Sequence, residues 1–272
     1  MRELKTLDIG CIVRLPKGLP IGILVVFKVG VSNMKVFENV LRLVIESGLP
    51  VVRYLSLLSD LREYSYNYIV VDAAGREERV KILVENIKKI EYVKKVEVYH
   101  PLKDGMLTAS PFDILAVSGI RSMVWVKPTF RAFIKTFQEV IGSGGAAIIY
   151  NIGLIMGKGA FQYHMKIAGG DKREALSVNR DFFKACGLGD IEYKVINLDK
   201  AVIRVYNSFE CEVFKNLGRT ASHFIRGIIA GWLSAFWEKD VEINETKCIA
   251  KGDPYCEFTA KVVKHANFKP NG

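Results

Sequence analysis

The sequence predicts an α+β protein of two unlike domains, a ferredoxin-like βαββαβ module followed by a mixed α/β module. Three observations carry this. The 272 residues exceed what one hydrophobic core usually organises. Between residues 20 and 99 the apolar pattern runs strand, helix, strand, strand, helix, strand. In that order two helices cover one face of a four-stranded antiparallel sheet. Past a Pro-, Gly- and Ser-containing stretch at 100–111, the pattern changes to helices, then strands and a hairpin, without repeating the first half. The first domain is placed at 1–105, a linker or the start of the second at 106–128, and the second domain at 129–272.

In the first module, "IGILVVFKV" is a β-rich apolar run, and "NMKVFENVLRLVIESG" has helical spacing that stops at Gly48. "VVRYLSLLSD" and "YSYNYIVVDAA" supply the middle strands. "REERVKILVENIKKI" is a charged helix with Val80, Leu83, Val84 and Ile87 on one apolar face, and with Glu85 and Lys89 one turn apart outside it. "VKKVEVY" closes the sheet. This order and size resemble an ACT-like regulatory domain. The resemblance implies a small effector, often an amino acid, near the first strand–helix turn, here "KVGVSN". Gly30 suits a tight turn, but the Asp and Pro-Gly usual in amino-acid binders are absent, so packing and dimerisation are the role expected.

In the second module, "FDILAVSGIRSMVWVKP" is apolar without a clear period and is assigned to no element. From Pro128 the pattern is helical. "TFRAFIKTFQEVI" comes first, then, past "GSGG", "AAIIYNIGLIMGKGAF". "DKREALSVNRDFFKACGLG" follows, with Asp171 as N-cap and Gly187 as stop. Two strands, "DIEYKVINL" and "KAVIRVYNS", precede a long helix from Thr220 to Trp237. A last hairpin, "VEINETKCIA" and "YCEFTAKVVK", turns through "KGDP".

Half the residues are hydrophobic and a quarter charged, which excludes a disordered chain. The net charge of +10 admits an acidic partner such as DNA, but it is gathered into no basic arm or run. The N-terminal "MRELKTLDIGCIVRLPKG" is broken by charge and lacks the apolar core of a signal peptide. The apolar runs "GLPIGILVVF" and "GIIAGWLSAFW" are too short to span a membrane. Five cysteines, an odd number, favour reduced thiols, so a cytoplasmic protein is expected.

The last hairpin sets Glu245 and Cys248 on one side of a turn and Cys256 on the returning strand. Zinc takes about four soft or borderline donors at tetrahedral corners, and two thiolates with a carboxylate supply three. Gly252 and Pro254 give the turn its freedom and rigidity. Neither cysteine pair forms C-x-x-C, so a cross-strand disulfide and two plain buried thiols stand beside the metal as readings.

"SHFIRGIIAGWLSAFWEKDVEINETKCIAKGDPYCEF" resembles the C-terminal signature of the 4-vinyl reductase domain family. These are hydrocarbon-binding modules, which also form the sensor domains of phenol- and toluene-responsive transcription activators. The resemblance covers roughly residues 125–265 and implies a mixed α/β ligand-binding domain. It also implies zinc, as in the phenol-sensing relatives, on a glutamate, on two following cysteines and on a cysteine of the preceding helix. The first three fall on Glu245, Cys248 and Cys256, and the fourth on Ser222, a poor zinc ligand. His223 is taken as the completing donor, with Cys211 the other candidate. Zinc, where present, is expected to be structural.

The resemblance gives weight to a pocket along the Thr220–Trp237 helix. Gly227 and Gly231, one turn apart, make a smooth stripe for another helix or a flat ligand. Phe224, Trp232 and Phe236 lie near it, and the earlier helix adds Tyr150, Met156, Phe161 and Tyr163. Any one of these aromatics is, taken alone, ordinary core material. His164 and His223 are read as packed groups and given no catalytic role. Neither "GSGG" nor "GKG" continues into a P-loop, and the context of a dinucleotide site is missing, so no nucleotide cofactor is expected.

The function expected is that of a small-molecule sensor for an apolar or aromatic ligand, a transcriptional regulator working as a homodimer, not an enzyme. The alternatives are a reductase acting on an unsaturated substrate, for which no hydride-donor motif is visible, and a TRAPP-like scaffold without ligand.

Overall fold

The computed structural model describes residues 12–28, 33–58, 63–103, 105–113, 115–117 and 119–263. It divides after Met123 into two units, which are taken in turn.

The first unit contains β1 (Val13–Arg14), β2 (Pro20–Lys28), α1 (Asn33–Glu46), β3 (Val51–Leu58), β4 (Tyr64–Asp72), α2 (Glu77–Lys88) and β5 (Val93–Tyr99). The larger strands form an antiparallel sheet in the order β3-β4-β2-β5, which is the predicted βαββαβ arrangement. β2 is buried from Pro20 to Phe27 because both faces of the sheet are covered. Its two-residue period sends Ile21, Ile23, Val25 and Phe27 to the helices, where Val80, Leu83, Val84 and Ile87 of α2 meet them. Burying each such side chain stabilises the fold by about 1.5–3 kcal/mol. Leu24 and Val26 go to the other face and join Val13, Tyr68, Val70 and Leu107.

That second core alters the expected boundary. β6 (Met106–Leu107) pairs with β1, and Ala109 and Phe112 pack on the same face of the sheet. Residues 106–112 are therefore covering material for the first unit and not a linker. The stretch assigned to no element holds a short hairpin, β7 (Leu115–Val117) with β8 (Ile120–Ser122). On α2, Glu85 pairs with Lys88 at 2.8 Å, while Lys89 reaches Asn86 at 3.5 Å. The turn carrying Gly30 lies outside the described residues.

The second unit runs α3 (Lys127–Ile141), α4 (Ser143–Ile167), α5 (Lys172–Ala185), β9 (Asp190–Ile196), β10 (Lys200–Tyr206), α6 (Phe209–Val213), α7 (His223–Trp237), β11 (Val241–Lys247) and β12 (Cys256–Val262). The sheet order is β11-β12-β10-β9, antiparallel throughout. Asp171 caps α5 as expected, accepting from the backbone N–H groups of Arg173 (2.6 Å) and Glu174 (3.1 Å). Gly187, at φ +71°, takes the left-handed conformation just past its end. Among the described residues, no helix is long and apolar enough to cross a membrane.

α4 and α7 cross with their backbones in contact. A methyl group at Gly227 would overlap the carbonyl oxygen of Tyr150, and one at Gly231 that of Leu154. From the other side, Gly153 meets Phe224 and Gly157 meets Ile228 in the same way. The small-residue stripe read from α7 is thus the seat of a helix.

Candidate functional site

Phe161 and His164 lie three residues apart on α4, and Trp232 and Phe236 four apart on α7, so each pair shares a helix face. The rings pack on one another. Phe161 meets the edge of Trp232 at 5.2 Å, Phe236 stacks on Trp232 at 5.4 Å, and Tyr193 of β9 lies 6.0 Å from Trp232. A buried polar chain runs through this aromatic core. Trp232 Nε1–H donates to His164 Nδ1 at 3.1 Å, and Asn179 Nδ2 of α5 lies 3.5 Å from the same nitrogen. The Tyr193 hydroxyl donates to Asn179 Oδ1 at 2.7 Å. Two donors converge on Nδ1, so Nδ1 is the unprotonated nitrogen and Nε2 carries the ring proton. Burial holds His164 below the usual histidine range and pushes the Tyr193 hydroxyl well above its own.

The second cluster is built on the hairpin. Cys211 Sγ, Cys248 Sγ, Cys256 Sγ and a carboxylate oxygen of Glu245 lie within 4.8 Å of one another, with Cys211 and Cys248 at 3.5 Å. A tetrahedral zinc–thiolate site has sulfur–sulfur edges of about 3.7 Å, so this donor set fits that ion. The three thiols are fully buried. Cys211 comes from α6, Glu245 from β11, and Cys256 opens β12. Cys248 precedes a 3-10 turn, Ile249–Lys251, closed by Gly252 at φ +112°. Its N–H donates to Asp253 Oδ2 at 2.8 Å, which fixes the turn.

Hydrogen bonds from Cys211 and Cys248 pull the Cys256 thiol well below its usual range, while bonds to Cys248 and then Cys256 push the Cys211 thiol up. Burial, then the bond to Cys248, pushes Glu245 up to about 8. Four ionised donors cannot crowd together unaided, and a divalent cation held among them would supply the missing charge.

Beside this cluster, Glu210 is fully buried, and burial pushes it up to about 8. Its carboxyl oxygens accept from the N–H groups of Phe224 (3.0 Å) and Ile225 (2.9 Å), in the first turn of α7. Ser222 occupies the N-cap position, yet its side chain makes no capping bond, and the remote glutamate serves instead.

Of the residues expected at a pocket, Phe161, Trp232 and Phe236 come together, and Tyr163 joins them through Phe182 and His164. Phe224 lies apart, 6.0 Å from Phe130, and Tyr150 carries the Arg226 guanidinium over its ring at 5.0 Å. Gly227 and Gly231 are sealed against α4 and line no ligand space. Of the expected metal ligands, Glu245, Cys248 and Cys256 converge, and Cys211 completes the set in place of His223. His164, Asn179, Tyr193 and Glu210 were not singled out as site residues, and nothing in their local sequence marks them. An open cleft of about 740 Å³ at the C-terminal end of α7, lined by Lys158, Ser234, Glu238, Lys239 and Asp240 among others, includes none of these aromatics.

Parts of the chain are similar to known proteins. The family model of the 4-vinyl reductase domain matches residues 201–262. The uncharacterized protein MJ0150 of Methanocaldococcus jannaschii is 33% identical over 121 residues, 44% of this chain and 67% of that protein. MJ1642 of the same organism is 30% identical over 83 residues, 30% of this chain and half of that protein. Among solved structures, the phenol-responsive sensory domain of the transcription activator PoxR with phenol aligns at a TM-score of 0.49 and 16% identity, over 54% of this chain and 79% of that one. A vinyl-4-reductase family protein from M. jannaschii aligns at 0.39 and 26%, over 53% and 85%.

Proposed function

The chain belongs to the 4-vinyl reductase domain family, and from that premise we propose that it is a sensor whose second unit binds a small aromatic ligand. It acts by binding and not by catalysis, as a homodimeric regulator of transcription, on DNA directly or through a partner protein. One observation carries the reading: the polar chain Trp232–His164–Asn179–Tyr193, drawn from four separate elements, buried in an aromatic core. A core made only to pack would be built more cheaply from aliphatic side chains, because each buried polar group gives up its hydration. With Nδ1 already accepting, His164 retains an Nε2–H to offer a polar substituent, while the surrounding rings suit an aromatic body. Access for the ligand requires the ring cluster to repack.

We include zinc as a structural cofactor, held by Cys211, Glu245, Cys248 and Cys256. When bound it cross-links α6 to the hairpin. The residues of the chain bury and orient the donors, and Asp253 keeps the turn closed.

The test is a thermal-shift and calorimetric titration with phenol, toluene, indole and benzoate. A saturable rise in melting temperature with at least one of them, lost in His164→Leu and weakened in Tyr193→Phe, supports the sensor. A flat response to all four, from a folded dimer, favours the scaffold reading instead. The tight mutual packing of Phe161, Trp232 and Phe236 is the observation on that side.

A further inference from the structure

Position 222, where the family resemblance implied a cysteine, carries a hydroxyl. Ser222 is almost wholly buried, and its Oγ lies among the four donors. It donates to Glu245 Oε1 at 2.7 Å and stands 2.8 Å from Cys211 Sγ, 3.6 Å from Cys256 Sγ and 4.0 Å from Cys248 Sγ. A neutral hydroxyl is a poor ligand beside three thiolates, whereas Cys211 brings a soft sulfur to the same point from a different element.

We propose that Cys211 of α6 is this chain's fourth metal ligand, replacing a ligand on α7, and that Ser222 remains as a positioning residue holding the Glu245 carboxylate through one oxygen. This rests on the reading of the cluster as a zinc centre.

The geometry gives the arrangement a physical logic. A carboxylate anchored at Oε1 keeps Oε2 free for an ion and loses the rotamer freedom that would weaken binding. The serine cannot both cap α7 and orient Glu245 with its single hydroxyl, and Glu210 has taken over the cap. Cys211 is its immediate neighbour, so one turn of α6 supplies the ligand and the anchor of α7 together. In this scheme the ion ties α6 to the hairpin directly and reaches α7 only through Ser222 and Glu210.

The experiment uses the full chain loaded with cobalt(II) and, separately, with zinc in competition against a chromogenic chelator. The wild type is expected to show the sulfur-to-cobalt charge-transfer intensity of three thiolates. Cys211→Ser is expected to lose one thiolate's share and bind zinc far more weakly. Ser222→Ala is expected to keep the three-thiolate spectrum while zinc affinity falls about 10–100-fold, as for other outer contacts of metal ligands. Ser222→Thr, which keeps the hydroxyl, is expected to restore the affinity. The exchange Cys211→Ser with Ser222→Cys is expected to recover the three-thiolate spectrum, which keeps the test open if the single cysteine variant fails to fold. Retention of the full spectrum and zinc affinity in Cys211→Ser would overturn the inference alone. So would a spectral change in Ser222→Ala as large as that in Cys211→Ser. A wild-type chain that takes up neither ion overturns the zinc reading and this inference with it.

Discussion

His164 sits where acidification is felt. Burial lowers its pKa in the folded chain below the ordinary value of about 6.5, so on acidification the unfolded chain takes up the proton first. The stability contributed by the neutral ring is complete above that value and is lost as pH falls through the folded one. Protonation would also remove the Nδ1 acceptor from Trp232 and leave a buried indole N–H without its partner. Calorimetry from pH 7.5 to 5 is expected to show the wild-type second unit losing stability relative to His164→Gln, the raised carboxyls of Glu210 and Glu245 contributing the opposite slope to both chains. Glu210 is a test of a different kind. Glu210→Ala strips the acceptors from two N–H groups at the start of α7 and is expected to destabilise the second unit by about 1–3 kcal/mol, read from urea unfolding. Glu245, Cys248 and Cys256 were legible because a hairpin fixes their spacing. Cys211 was legible only as an alternative to His223, and Glu210 not at all, because their partners lie eleven or more residues away and only the folded chain brings them together.

At the scale of elements, the periodic segments declared themselves and the short ones did not. α1, α2 and α5 show one apolar stripe each, and Asp171 and Gly187 mark the ends of α5. α6 has five residues, fewer than two turns, so no periodicity could reveal it. β6 is briefer still, which is why 106–112 read as linker or the start of the second domain when it completes the first unit's core. The α4–α7 crossing yields a paired prediction. Gly231→Val forces a side chain into a backbone carbonyl that has no rotamer to escape by, and is expected to cost about 3 kcal/mol or more. Gly159, on α4 with open space around it, is expected to accept alanine with a gain of about 0.5–1 kcal/mol. Chemical unfolding of the two variants side by side checks both.

At the scale of the whole molecule, the two units have separate cores, and their melting should be separable. With zinc in the hairpin cluster, EDTA is expected to lower the transition of the second unit and leave that of the first in place, as differential scanning calorimetry would show. A chelator that moved both transitions, or neither, would contradict that placement of the ion. The two-domain division was legible from the change of pattern near residue 100, whereas its edge at Met123 depended on strand pairs of two or three residues. The glycine crossing has a consequence for how such a protein can diverge. Gly153, Gly157, Gly227 and Gly231 are closed to drift, since every other residue brings a Cβ into a neighbouring carbonyl. Phe161, Tyr163 and Phe236 pack against other rings, and a side chain, unlike a backbone carbonyl, can move to accommodate a change. On the proposed reading of the ring cluster as a ligand seat, descendants of this chain can retune it one substitution at a time while the two helices beneath it stay locked.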